Sequence, residues 1–413
     1  MTRTVITGIG AIAPGGIGIE EHWESTLRGD LHVRPITAFD PSGYSTSIAG
    51  QLENFEPERF VDDRMLVQTD RWTWLALGAA RLAFADAAYD PSATDPYDTS
   101  VILASGLGGV EFGQREIQEL WSRGRRAVGA YQSIAWFYAA STGQISIRHG
   151  TKGRSGVLVS DGAGGVDSIG AARRAIRRGT AGVVVGGTEA PLCPYALTCQ
   201  ITNGGMTTSP DPRGGYKPFD ARANGYAPGE GGALLILEDE EKAAARGARQ
   251  AYAEVAGYAA THDAHTHDTR SPDPRQYARA MIVALEDAGL TPDDVDLVVA
   301  DGAGDPALDR AEAEAIHLAL GERGATVPVT APQGFTGRLG SGGAALNVAT
   351  TLMAMRHSLV PAVGNLDTPA EGLRLDLVTG RPRPMPVRVA MVNARGFGGF
   401  NSSLILRTLP GAS

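Results

Sequence analysis

The chain has 413 residues and a formal net charge of −9, which leaves no basic field to hold nucleic-acid phosphates or an anionic membrane surface. Its 54 glycines are spread through apolar segments with no G-X-Y period or low-complexity tract, which argues against collagen and extensive disorder. Cys193 and Cys199 are too few for a disulfide scaffold, no run of about 18 apolar residues could span a bilayer, and the N-terminus lacks the apolar core of a signal peptide, so a reducing cytoplasm is expected.

In chain order, "TVITGIGAIAP" reads as a buried strand ended by Gly and Pro, and "TSVILAS" (99–105) as a second. In "VEFGQREI", Val110, Gly113 and Ile117 fall at i, i+3 and i+7 and so share one helical face. The stretch "GVLVSDGAGGVDSIGAARRAIRRG" (156–179) then reads as a buried strand, a sharp elbow and a helix. Such elbows suit nucleophiles, because a helix N-terminus offers free N–H groups and a positive dipole end. Gly162 stands at the apex and has no side chain. Asp161 beside it reads as a helix cap, and Arg173, Arg174, Arg177 and Arg178 as a solvated basic stripe able to meet an acidic carrier protein.

Further buried strands are expected at "AGVVVGG" and "GALLILED", and the charged run "EDEEKAAARGAR" (238–249) as the boundary between two halves, 1–245 and 246–413. The second half repeats the plan with "AYAEVAGYAAT", a helix "QYARAMIVALEDAGL" closed by Gly289, then "VDLVVADGAG", "RAEAEAIHLAL" and "VRVAMVNARGFGGFNSSLIL". "GSGGAALNVATTLMAMRHS" echoes the first elbow and its helix, so the pattern is α/β with an internal duplication. The polar loop "THDAHTHD" gathers His262, His265 and His267 with Asp263 and Asp268, ligand types for a metal, yet nothing else in the chain implies metal chemistry and no cofactor is expected.

Taken together, "TVITGIG", "KPFDARANGYAPGEGGALLILED" (217–239), "VVADGAGDPALDRAEAEAI" (298–316), "VTAPQGFTGRLGSGGAALNVATTLMAM" (329–355) and "NARGFGGFNSSLIL" resemble the beta-ketoacyl synthases of the thiolase superfamily, in order and from end to end. The resemblance implies a thiolase-like fold, a duplicated five-layered α-β-α-β-α architecture with two pseudo-symmetric halves. Active members carry a cysteine at the elbow and two histidines that support decarboxylation and the developing oxyanion. Here Gly162 replaces the cysteine, Asp301 in "ADGAG" the first histidine, Arg338 the second, and Gln333 the lysine expected five residues earlier. These four replacements leave no evident mechanism for thioester condensation.

The long segment "GVEFGQREIQELWSRGRRAVGAYQSIAWFYAASTGQISIRHG" (109–150) is similar to one branch, the chain-length factors or ketosynthase beta subunits of bacterial type II polyketide synthases. Many members of that branch carry glutamine at the position of Gly162. The branch implies a noncatalytic chain that pairs with a ketosynthase alpha subunit and works with an acyl carrier protein bearing malonyl or polyketide chains. The alternative is an independent malonyl or acyl carrier protein decarboxylase or acyltransferase acting through Asp301 or another residue. In the branch, the positions of Val110, Gly113, Ile117 and Tyr195 line and gate a polyketide tunnel, and the aromatic run Trp136, Phe137 and Tyr138 is expected at the partner interface. A two-carbon unit spans roughly 2.5 Å and a helical turn about 5.4 Å, so one open turn admits roughly two more units, and gates this small imply a long product.

Overall fold

The computed structural model describes residues 2–265 and 272–409. In the first half, strands β1 (Thr4–Ala13), β2 (Thr99–Ala104), β3 (Ser155–Leu158), β4 (Gly182–Glu189) and β5 (Gly231–Asp239) alternate with helices α1 (Arg71–Ala87), α2 (Val110–Arg123), α3 (Ala140–His149), α4 (Gly164–Ile176) and α5 (Pro194–Thr202). In the second, β6 (Ala253–His262), β7 (Leu297–Val299), β8 (Pro328–Thr330), β9 (Val389–Gly396) and β10 (Phe400–Arg407) alternate with α6 (Arg275–Ala288), α7 (Pro306–Leu320) and α8 (Ser341–His357). The helix after the sixth-strand repeat closes at Gly289 in a left-handed conformation, as its sequence requires.

All ten strands belong to one twelve-stranded sheet, and its order reveals the duplication. Outward from the centre one arm runs β1-β5-β4-β2-β3 and the other β6-β10-β9-β7-β8, which is the same permutation of chain order in both. In each arm the inner two pairings are antiparallel and the outer two parallel. The arms join where Val5 lies opposite Glu254 and Ile6 opposite Ala253. Helices α4 and α8 pack against each other and against strands of both arms, while α1 covers the outer face of the first arm and α6 with α7 that of the second. Five layers result.

Glycines set how closely these layers approach. A Cβ on Gly10 of β1 would lie 1.9 Å from the Ala79 carbonyl of α1, and one on Gly257 of β6 2.1 Å from the Ala284 carbonyl of α6, so both halves seat a helix directly on strand backbone. At the middle layer a Cβ on Gly165 would lie 2.5 Å from the Ser341 carbonyl, which brings the two elbows into contact. Any side chain at these places would push a layer outward, at a cost of the overpacking kind, about 1–3 kcal/mol or more.

Two expectations change. The run at 156–160 was expected to be a buried strand, but β3 is the outermost strand of its arm and only partly covered, with Val159 after it 55% exposed. The basic stripe on α4 is not wholly solvated: Arg173 is buried, and its guanidinium binds Asp287 of α6 and the Ala256 carbonyl of β6, because α4 lies in the middle layer and that face meets the second half. Arg174, Arg177 and Arg178 remain exposed.

Candidate functional site

The site lies at the carboxyl ends of the parallel strands, where an α/β sheet leaves its crevice. After β3 the chain turns at Asp161, whose φ of 48° places a non-glycine residue in the left-handed region, passes Gly162 and enters α4. The expected capping role of Asp161 is not what the carboxylate does. It accepts the Phe397 N–H at 2.8 Å, and the Asp161 carbonyl accepts the Ser341 hydroxyl at 2.8 Å, so the left-handed turn ties the first elbow to the second half.

Asp301 follows β7, Gln333 lies in the turn after β8, and Arg338 precedes α8. The fold brings all three to Gly162 around a cavity of about 20 Å³, room for a single water. Arg338 donates Nη1 to Asp301 Oδ2 and Nη2 to Asp301 Oδ1, both at 3.1 Å, in a fork that is about nine-tenths buried on each side. Nη2 also donates to the Arg395 carbonyl at 2.7 Å. Burial works against this charge, yet the adjacent Asp301 carboxylate holds the guanidinium well above its ordinary value. Asp301 Oδ1 accepts the Arg395 N–H at 3.0 Å as well, and Gln333 Nε2 donates to the carbonyls of Ala300 and Asp301.

The apex itself is closed. A Cβ at Gly162 would lie 2.4 Å from the Arg395 carbonyl oxygen and 2.9 Å from Arg338 Nη2. The glycine and the ion pair are therefore mutually required: the guanidinium and its carbonyl partner occupy the space a nucleophile would use. Chemically the arrangement offers a cation that cannot serve as a base and a carboxylate whose oxygens are engaged.

Glu312, on α7, was not singled out in the sequence and completes the site from beneath. It accepts the N–H groups of Asp301 and Gly302, each at 2.8 Å, and the Tyr277 hydroxyl at 2.9 Å, and burial with the neighbouring Asp301 charge pushes its carboxyl up to about 7. A sequence signal existed, since Glu312 falls on the same stripe as Leu308, Ile316 and Ala319, all buried, and a charge on an apolar stripe needs partners. A second cavity of about 100 Å³ adjoins the elbow, bounded in part by Asp161, Glu189, Cys199 and Arg338. Cys193 is buried, with burial pushing its thiol up to about 11, and Cys199 is exposed on α5, where it borders this second cavity rather than the elbow apex.

The positions expected to gate a tunnel lie on α2 and at the start of α5. Val110 packs with Cys193 and Ala196, and the Tyr195 N–H donates to Gln114 at 2.7 Å, so the start of α5 is fastened to α2. Val110 and Gly113 are buried, whereas Ile117 and Tyr195 are about half exposed. The start of α2 is held by Asp70, which caps α1 through the Trp72 N–H at 3.1 Å and accepts the Phe112 N–H of α2 at 2.7 Å. Trp136 and Phe137 are exposed at 44% and 53%, with Tyr138 partly covered. Of the polar loop, His267 and Asp268 lie outside the described residues, and Asp263 is committed to Arg395 at 2.8 Å and Asn401 at 2.6 Å. Among the described residues no group of three metal-ligand side chains forms, and no helix is long and apolar enough to cross a membrane.

Against this geometry, residues 1–243 match the family model of the beta-ketoacyl synthase N-terminal domain and residues 252–367 that of the C-terminal domain. The chain is 50% identical over 404 residues to the tetracenomycin polyketide synthase ketoacyl synthase beta subunit of Streptomyces glaucescens, covering 98% of each. It is 48% identical over 404 residues to the actinorhodin polyketide putative beta-ketoacyl synthase 2 of Streptomyces coelicolor, again covering 98% of each. Among solved structures it superposes on the ishigamide ketosynthase/chain length factor with a TM-score of 0.92 at 28% identity, covering 99% of both chains. A type II polyketide synthase acyl-carrier protein in complex with its ketosynthase bound to the hexaketide gives 0.90 at 25% identity, with 99% of both chains covered.

Proposed function

We propose, from the premise that this chain belongs to the beta-ketoacyl synthase family and is a ketosynthase beta subunit, or chain length factor, of a type II polyketide synthase, that it is noncatalytic, pairs with an active ketosynthase alpha subunit and walls the tunnel in which the polyketide grows. The observation that carries the noncatalytic reading is the Asp301–Arg338 fork lodged against Gly162. An independent decarboxylase or acyltransferase would need Asp301 free, and its oxygens are held by Arg338 and the Arg395 N–H. The halves 1–245 and 246–413 serve as the duplicated units, joined through the short helix Glu240–Ala245.

Pairing is supported by what the single chain leaves uncovered. β3, four residues long, ends its arm with an unpaired edge among the described residues, and its free N–H and C=O groups can pair with a strand of another chain. Ile117, Trp121, Ile134, Trp136, Phe137, Ile147, Val159 and Tyr195 are exposed. Soluble monomers rarely leave so many large apolar groups in water. The similarity to a solved ketosynthase/chain length factor and to an acyl-carrier protein in complex with its ketosynthase supports a ketosynthase alpha subunit and an acyl carrier protein as the partners.

Two outcomes test this. Incubated with malonyl or acyl carrier protein, the purified chain should show no mass increase by intact-protein mass spectrometry; an adduct on any of its residues would overturn the noncatalytic reading. Co-expressed with a ketosynthase alpha subunit, it should elute as a heterodimer, and Ile117→Phe should leave that dimer intact while shortening the main product by about one two-carbon unit at most, since a phenyl ring is bulkier and reaches roughly 1 Å further than an isoleucine side chain.

A further inference from the structure

The helix face assigned to the gate contains a glycine, and an empty position there ought to open the tunnel. The space beside Gly113 is not empty. A Cβ built on Gly113 would lie 2.8 Å from Cδ1 of Trp136, with Nε1 and Cγ at 3.5 and 3.6 Å, so the indole edge rests directly on the α2 backbone where a side chain would otherwise project. Glycine at 113 and tryptophan at 136 are steric complements.

The backbone fixes Trp136 in that place independently of its ring. Its carbonyl accepts the Gly109 N–H at 3.2 Å, at the first residue before α2, and its own N–H donates to Gln132 at 3.3 Å. A Cβ on Gly109 would lie 2.0 Å from the Ala135 carbonyl and one on Gly108 2.8 Å from the Trp136 carbonyl, so the turn into α2 is clasped against residues 135–136. The Tyr138 ring stands 6.2 Å from the indole and backs it. One edge of the indole is thus committed to α2, while 44% of the residue stays open beyond it.

We propose that Trp136 is a specificity-determining residue of the gate: at the level of Gly113 the free width is set by the indole laid across the glycine, and Gly113 is there to receive it. This rests on the reading of α2 as the tunnel wall. It reverses one expectation drawn from the sequence, because a missing side chain at 113 does not by itself lengthen the tunnel. A large, rigid aromatic carries much volume on few rotatable bonds, which suits a stop.

The test is a pairwise series in the co-expressed heterodimer with its carrier protein, reading product length by mass spectrometry and dimer formation by size exclusion. Trp136→Ala should lengthen the main product by about one or two two-carbon units. Gly113→Ala, one added methyl, should drive the indole off the helix and shorten the product or lower its yield severalfold. In the double variant the Gly113→Ala effect should vanish, the product matching that of Trp136→Ala. Thermal unfolding of the same dimers supplies a second readout, in which the two losses combine to less than their sum. Trp136→Phe serves if the alanine variant fails to dimerise, and should give the same direction at smaller size. If Ile117→Phe shortens the product while Trp136→Ala, Trp136→Phe and the double variant behave as independent, length-neutral changes, the gate stands and the assignment to Trp136 is wrong. If Ile117→Phe too leaves length unchanged, the tunnel wall lies elsewhere and both fail.

Discussion

Replacing Arg338 with methionine should be among the most damaging single changes in this chain, lowering stability by about 3–5 kcal/mol, because it strands the Asp301 carboxylate inside the protein without its cation. Asp301 is held by the two guanidinium nitrogens and the Arg395 N–H, and Glu312 lies beneath it as a second buried carboxylate bonded to the Asp301 and Gly302 N–H groups. With Arg338 gone, the Asp301 carboxylate loses its cation while the neighbouring Glu312 remains. Adding Asp301→Asn to Arg338→Met should recover most of the loss, since a neutral amide oxygen still accepts the Arg395 N–H and no ion is left unpaired. The check is the unfolding midpoint of the three variants in the same buffer. If the double variant is no better than the single, the damage comes from lost packing and not from the stranded charge.

Asp70→Ala should have a comparable effect by another route. One carboxylate caps α1 and fastens α2, so its removal leaves the buried Trp72 and Phe112 N–H groups without acceptors, at about 1–3 kcal/mol each. The first turn of α2 should loosen, which hydrogen exchange at Phe112 would read directly. The same group ties stability to pH. Burial, opposed by those two N–H bonds, pushes the Asp70 carboxyl up to about 7 from an ordinary value of 3.8. The folded state then holds a proton that the unfolded chain has released, so its contribution is fully present below about pH 4 and is lost as pH rises through 7. Glu312, pushed to about 7, and Glu189, pushed by burial to about 8, act in the same direction. His22 acts oppositely: burial, with His32 nearby, lowers it to about 4, so its contribution is present above pH 6.5 and lost as pH falls toward 4. Unfolding midpoints measured from pH 6 to pH 8.5 should therefore fall, and Asp70→Ala should make that fall shallower. A midpoint that rises over this range, or a slope that Asp70→Ala leaves untouched, would contradict the assignment.

How much of this was legible in the sequence depends on whether a feature is local. The elbow, the strand runs and the Gly289 helix stop are written in consecutive residues, and the four altered positions Gly162, Asp301, Gln333 and Arg338 stand inside motifs long enough to align. The fold gathers these four around one small cavity. Contacts made by main chain are invisible to such reading: the Arg395 carbonyl closes the elbow, yet any residue could present a carbonyl there. Asp70 before an apolar helix is a readable cap, while its second bond to Phe112, 42 residues away, is not. Gly113 reads as vacant space until Trp136 is seen lying across it. Residues 156–160 look like core from their composition. They end a sheet instead, and an edge strand is covered on one side only, which composition does not reveal.

The placement of β1 at the centre of the sheet also governs how the chain is made. This strand is ten residues of almost unbroken apolar and small side chains, and apart from a two-residue pairing with Gly16–Ile17 its hydrogen bonds go to β5 and β6, whose paired residues lie 220 or more positions later. At ~5–20 residues per second, β1 waits roughly 10–50 s before either neighbour exists. During that interval it is an open, uncharged template for aggregation, and the first arm cannot close without its own last strand. Slower translation in the heterologous host lengthens that wait, whereas a holdase chaperone shields it. The yield of soluble subunit should thus respond to elongation rate and chaperone supply before it responds to anything in the folded protein.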